Sequence, residues 1–200
     1  MRLTVNIHHM LVASWRVGAE DVARVLPPGL EPAETNGGHV VSAVFLRYSH
    51  GHLGLLPAPP FAGLNIRVYT SWEGERAAYF LDARVTPPGK LAALFLPVRT
   101  AHLRVGRGRA EGLGLDFRYE VDGPADPGDL GRLELGLFPA AGLKLLRVRR
   151  GPADWRRATL LEPARIDPIL ALGFDVREPI ELLYVAEASL EADLPPHRVA

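Results

Sequence analysis

The sequence predicts an α+β domain built mostly from antiparallel β-strands, a closed barrel being one form of it. Three observations predict it. Strand-like runs recur along the whole chain, helix signals are confined to short segments, and no linker or repeat divides residues 1–200. A hydrophobic fraction of 48% supports a folded globule, and 200 residues suffice for one well-buried domain.

The opening segment, Leu3 to Val12, alternates weakly and reads as a strand. A short helix is expected over Ala19–Leu26, with Glu20 and Asp21 where the helix dipole favours acids and Pro27-Pro28-Gly29 as its stop. His39 to Tyr48 is strongly β-prone, and residues 49–63, rich in glycine and proline, read as a loop of the kind that often carries function. Leu64–Trp72 and Arg76–Val85 form a hairpin around Glu73-Gly74-Glu75. Lys90–Leu96 reads as a short helix, and Val98–Val105 and Leu115–Val121 as strands. Asp122–Gly131 is a turn or loop, and Leu133–Leu137 and Leu143–Arg150 fit helix or strand equally. Trp155–Leu161 reads as a strand. Asp167 as N-cap, Pro168 at N1 and Gly173 as stop mark a short helix, and Pro179–Ala192 closes the chain as one or two strands.

The most informative stretch is Leu64-Asn65-Ile66-Arg67-Val68-Tyr69-Thr70. Residues two apart on a strand share a face, so Leu64, Ile66 and Val68 make an apolar face and Asn65, Arg67 and Tyr69 a polar one. An amide, a guanidinium and a phenol in one row can bind a carboxylate or carbonyl if that face lines a pocket. If it meets water, the row is ordinary strand surface. On the returning strand Phe80, Asp82 and Arg84 are expected on one face, opposite Tyr79, Leu81 and Ala83. Asp82 there either fixes Arg67 or makes a cross-strand ion pair that holds register.

Bulk properties narrow the function classes. Zero net charge and a pI near 7.1 give no global field that favours nucleic acid or an anionic membrane, so neither is expected as a partner. The absence of cysteine removes disulfides, thiolate zinc sites and cysteine nucleophiles, and it fits a cytoplasmic location. The N-terminus shows no apolar run long enough for a signal segment or a span. Of 23 basic residues only Lys90 and Lys144 are lysine, so an imine mechanism must use one of these or the N-terminal amine. His50 and His52, with His8 and His9, lack a carboxylate at a recognisable spacing and are read as exposed histidines, not metal ligands. Arg99, Arg104, Arg107 and Arg109 cluster around a glycine-rich turn without an aromatic stacking platform. No nucleophile elbow or dinucleotide fingerprint is present, and no cofactor is expected.

Several segments carry a family likeness. They are Trp15, Leu26 to Pro32, Gly37 to Ser42, the Leu56-Pro57 loop leading into Leu64 to Tyr69, and Tyr79 to Ala83. Together they resemble the YqjF-like family of uncharacterised bacterial proteins. The match is good over residues 10–105 and traceable afterwards through Gly151 to Trp155 and Glu181 to Val199, with Asn-x-Arg-x-Tyr its most specific element. That family resembles the acetoacetate decarboxylase-like superfamily. The resemblance implies a cone-shaped, largely antiparallel β-barrel with a central cavity and a few short flanking helices. It makes Asn65, Arg67 and Tyr69 candidate pocket residues, together with Asp82, Arg84 and Arg99.

The decarboxylase site follows a Gly-aromatic-Pro-Lys-Lys pattern, and its nearest counterpart here is Phe95-Leu96-Pro97-Val98-Arg99. Valine and arginine stand where the paired lysines would fall, and neither forms an imine. Lys90, in Gly89-Lys90-Leu91-Ala92, is the one weak catalytic candidate. The expected function is therefore binding of a small acidic or carbonyl-bearing metabolite, with or without its transformation. If the protein is an enzyme, a lyase or hydrolase acting on a small organic acid without Schiff-base chemistry fits. A non-catalytic ligand-sensing or scaffold module is the alternative, and a Schiff-base decarboxylase using Lys90 the third. The sequence leaves a homo-oligomer open.

Overall fold

A computed structural model describes residues 2–94, 96–140 and 142–199. Ten strands carry the architecture: β1 (Arg2–Arg16), β2 (Val40–Leu53), β3 (Phe61–Trp72), β4 (Glu75–Val85), β5 (Leu115–Pro124), β6 (Leu135–Ala140), β7 (Gly142–Arg150), β8 (Trp155–Leu160), β9 (Glu181–Val185) and β10 (Ala188–Asp193). Two short helices, α1 (Ala19–Val25) and α2 (Asp167–Ala171), flank them.

Seven of the strands close into a ring. β1 pairs antiparallel with β2, β2 with β3 and β3 with β4. β4 runs parallel to β6, β6 pairs with β7, β7 with β10, and β10 returns to the first half of β1. The second half of β1, Met10 to Ser14, takes β9 instead. β9 pairs with β8 and β8 with β5, so β1 belongs both to the barrel and to a second sheet laid against it.

This double membership buries both faces of the β1–β3 wall. Leu11, Phe45, Ile66 and Val68 on one face pack against Leu115, Phe117 and Leu182 of the second sheet. Phe45 and Phe117 meet edge to face at 5.9 Å, the arrangement that aromatic quadrupoles favour. On the other face Ile7, Met10, Val44 and Leu46 point into the barrel. Strands buried on both faces read as near-continuous apolar runs, which is the character of Val40 to Leu46.

The helices form where expected. α1 buries Val22, and the Asp21 carboxylate accepts the Gly18 N–H at 3.3 Å. α2 buries Ile169 and ends at Gly173, whose φ of 84° favours glycine. Its cap is Ile166, so Asp167 is the first helical residue and not the N-cap.

Three readings of the sequence are corrected, and one left open is decided. Residues 49–63 are mostly strand: β2 runs on to Leu53, Gly54 turns the chain with φ 61°, and Leu56–Ala58 pairs back on Gly51 to Leu53. Pro57 is tolerated there because a strand with a free side need not donate every N–H. Val98–Val105 breaks into Arg99–Thr100, beside the end of β4, and Arg104–Gly106, in a hairpin with Arg109–Gly112. The short helix expected over Lys90–Leu96 is a 3₁₀ segment over Pro87–Leu94, and Phe95 lies outside the described residues. The two ambiguous stretches are β6 and β7, because ring closure requires strands there. A last strand, His197–Val199, was not legible and pairs with Leu143 to Leu145. Among the described residues no helix is long and apolar enough to cross a membrane.

Phe45→Ala should cost about 3–5 kcal/mol, the usual range for emptying a buried phenylalanine site, because Phe45 is 0% exposed. Leu55→Ala, at a residue 98% exposed, should change stability by less than about 0.5 kcal/mol. Urea denaturation of the two variants checks the contrast.

Candidate functional site

The inner face of the ring encloses a cavity of about 160 Å³. Most of its wall is apolar, with Val44, Phe80, Phe138 and Leu146 among the side chains that line it. The polar lining comes from Tyr48, Asn65, Arg67, Arg84, Glu134 and Arg150.

Of the two readings open for the polar row of β3, the inward one holds. Asn65 and Arg67 line the cavity, and Arg67 is only 4% exposed. Tyr69, one step further along, is fully buried, and its role differs from that of its neighbours. It accepts the Arg67 Nε–H at 3.0 Å and donates to Ser42 Oγ at 3.0 Å, and Ser42 Oγ lies 2.9 Å from Ser14 Oγ. This relay from β3 through β2 to β1 holds the guanidinium by its Nε. Among the described residues the terminal nitrogens of Arg67 have no hydrogen-bond partner, and no carboxylate lies within ion-pair distance. Asn65 Oδ1 is buried and likewise unpartnered.

Three polar lining groups were missed from the sequence: Arg150, Tyr48 and the exposed Glu134. Arg150 ends β7, and its Nη1 donates to the Leu130 carbonyl at 3.2 Å. Burial, and then the positive charge of Arg67, lower its pKa to about 10. The available signal was an alternation within the ambiguous stretch. Read as a strand, Leu146, Val148 and Arg150 share one face, and all three line the cavity. Tyr48 on β2 stacks at 4.4 Å on Phe61. Burial pushes its phenol up to about 12, while the charges of Arg150 and Arg67 pull the other way. It is a neutral hydrogen-bond donor at ordinary pH, and its hydroxyl has no partner among the described residues.

The other predicted site residues stand elsewhere. β3 and β4 change register between Ile66 and Arg67, so that Ile66 faces Asp82 and Arg67 faces Phe80, with Leu81 as the extra residue. The bulge puts Phe80 and Ala83 on the cavity wall and splits the face expected for Phe80, Asp82 and Arg84. Asp82 does not fix Arg67. It receives the Arg84 Nε at 2.9 Å and the Arg99 Nη2 at 3.2 Å, a cluster that ties β4 to the chain after the 3₁₀ segment. Arg84 keeps a place in the cavity lining, whereas Arg99 is exposed.

Lys90 is exposed and Lys144 sits on β7, and neither lines the cavity. Leu96 and Val98 do line it. The segment matched to the decarboxylase pattern therefore reaches the cavity, with valine standing in one lysine place. His50 and His52 are exposed, and among the described residues no group of three or more His, Cys, Asp or Glu could hold a metal ion. Arg104 and Arg109 pair with Glu111, and Arg109 also with Asp116, as a locally neutralised turn.

The fold, a mostly β closed barrel, is acetoacetate decarboxylase-like. An acetoacetate decarboxylase-like enzyme from Sphingomonas wittichii RW1 superposes with a TM-score of 0.70 at 14% identity, over 99% of this chain and 92% of its own. An acetoacetate decarboxylase from Legionella pneumophila gives 0.67 at 14% identity, over 100% of this chain and 87% of its own. The enduracididine biosynthesis enzyme MppR, complexed with pyruvate, gives 0.65 at 15% identity, over 100% and 91%. At these identities the likeness is one of fold. Residues 4–135 match the DUF2071 family, described as an uncharacterized conserved protein, and the chain belongs to that YqjF-like family. No curated protein matches it.

The raised phenol of Tyr48 has a consequence in alkali. A group whose folded pKa lies above its unfolded value of 10.0 adds stability that is complete below that value and is lost as pH rises through about 12. The phenol should therefore make native stability fall between these limits, against the opposite contribution of Arg150, whose lowered pKa adds stability as pH rises past about 10. Tyr48→Phe should remove a part of that fall on the order of 2 kcal/mol, leaving the part due to Tyr79, Tyr119 and Tyr184, which shift the same way. Urea midpoints at pH 9 and about pH 11.5 check it.

Proposed function

We propose that the protein binds a small organic acid in the barrel cavity, with the Arg67 guanidinium as the group that holds the carboxylate. One observation carries this reading: Arg67 is buried in a largely apolar cavity with no carboxylate of the protein within ion-pair distance among the described residues. A buried charge without a partner is costly, and an anion in the cavity supplies the missing partner. Tyr69 anchors the guanidinium and leaves its terminal nitrogens for a bidentate pair with the ligand. Asn65 and Tyr48 are within the same lining and offer an amide and a neutral phenol to a carbonyl or hydroxyl on that ligand.

The volume limits the ligand's size. A dry cavity of about 150 Å³ takes a benzene molecule, so about 160 Å³ suits a molecule of roughly six to eight heavy atoms. The fold neighbour MppR complexed with pyruvate supports an acid of this class. Imine chemistry is not part of the proposal, because neither lysine lines the cavity and Val98 stands in one lysine place. Nor is proton transfer: Tyr48 is a weak acid at neutral pH and Glu134 is exposed. The lining therefore supports a binding module over a catalyst.

Millimolar butyrate, propionate and pyruvate should raise the melting temperature of the native protein at fixed ionic strength. Arg67→Met should abolish the rise while leaving the unliganded protein as stable or more so, since a buried unpaired charge is removed. A melting temperature that rises equally in the Arg67→Met variant would exclude the clamp.

A further inference from the structure

Three guanidiniums line the cavity; Arg84 is neutralised by Asp82, and Arg150 is the second, beside Arg67, without such a partner. Around the ring, β3 and β7 are separated by β4 and β6 in one direction and by β2, β1 and β10 in the other. In a ring of seven strands that spacing sets Arg67 and Arg150 on opposite walls, and both line the cavity between. Like Arg67, Arg150 has no carboxylate within ion-pair distance among the described residues; its one hydrogen bond goes to the Leu130 carbonyl. The acidic side chain in the cavity lining is Glu134, and it is exposed to solvent, where water screens it. Between the two guanidiniums the wall is apolar, with Val44, Phe80, Phe138 and Leu146 among its side chains.

From this we infer that the cavity selects a short dicarboxylate, one carboxylate on Arg67 and the other on Arg150, with its methylene chain against the apolar wall. The inference rests on the organic-acid reading above and narrows it. Charge balance favours it: two guanidiniums that repel each other in a low-dielectric cavity are both neutralised by one dianion, whereas a monoanion leaves one unpaired. Size permits it, because malonate and succinate have seven and eight heavy atoms, roughly the content of a cavity this large. The mutual repulsion is visible in Arg150, which the charge of Arg67 pushes down beyond the effect of burial.

Isothermal titration of the native protein at pH 7.5 and constant ionic strength, with butyrate, malonate, succinate and inorganic phosphate as probes, tests the inference. Malonate or succinate should bind at least about tenfold more tightly than butyrate, as an added charged pair of this kind warrants. Phosphate, a compact dianion unable to span both walls, should bind no better than butyrate. In Arg150→Met the advantage of the diacid over butyrate, each measured in the same variant, should fall to about twofold or less. If that variant fails to fold, Arg150→Lys replaces it and should keep only part of the advantage, since a point charge cannot make the forked pair. Diacids no better than butyrate, phosphate equal to the diacids, or an advantage that survives in Arg150→Met would each overturn the spanning dianion while leaving the Arg67 site intact. An absence of binding by every carboxylate would overturn both.

Discussion

Closing seven strands into a ring turns one face of each strand inward, and every residue on that face must then be filled, paired or left facing a cavity. The long β1 makes the constraint stronger here. Its second half also joins β9 and a second sheet, so the wall around Met10 to Trp15 of β1, Val40 to Leu46 of β2 and Ile66 to Thr70 of β3 has no solvent face. Polar side chains on that wall cannot reach bulk water by a small rotation. Ser14, Ser42, Arg67 and Tyr69 are buried for this reason, and they meet one another. The hydroxyl relay satisfies three of these groups. It leaves the business end of the fourth, the Arg67 guanidinium, turned to a cavity with no internal counter-ion.

That arrangement opposes stability in the unliganded protein. A buried guanidinium needs hydrogen bonds and a counter-charge to offset its desolvation, and Arg67 has the bond from Nε to the Tyr69 hydroxyl and the Tyr69 ring at 5.4 Å but no carboxylate. Arg150, on the opposite wall, has only a backbone carbonyl. By contrast, several other arginines have acidic partners. Arg84 and Arg99 share Asp82, Arg104 and Arg109 share Glu111, and Arg76 meets Asp129 at 2.8 Å. Of the three arginines that line the cavity, Arg84 thus has an acidic partner in Asp82, whereas Arg67 and Arg150 have none within ion-pair distance among the described residues. On the proposed reading a ligand carrying negative charge would resolve the difference, and the barrel otherwise tolerates the charges only because so much apolar surface is buried around them.

Much of the fold was legible because its signals are local. The α1 region carries acids at its start and two prolines at its end, and the β3–β4 hairpin carries its turn at Glu73-Gly74. The strand carrying Asn65, Arg67 and Tyr69 was read with its faces correctly grouped. What local pattern cannot supply is the neighbour across the sheet. The bulge at Leu81 depends on how β3 and β4 twist together, and it moved Asp82 from Arg67 to Arg84 and Arg99. Ring closure, a contact between distant segments, decided that Leu143 to Arg150 is a strand, and with it that Arg150 turns inward. Tyr48 was read as the end of a strand next to a loop, and only the extension of β2 to Leu53 places it in the barrel. In the segment that resembles the decarboxylase pattern, Val98 lines the cavity while Arg99 is exposed and pairs with Asp82.

The most direct test of the account is a crystal structure of the protein soaked with succinate or malonate. The account predicts the diacid inside the ring, one carboxylate within hydrogen-bond distance of the Arg67 terminal nitrogens and the other on Arg150, with Tyr69 still bound to Arg67 Nε. A cavity that stays filled with water at saturating diacid, or a diacid bound outside the ring with both guanidiniums untouched, would contradict it.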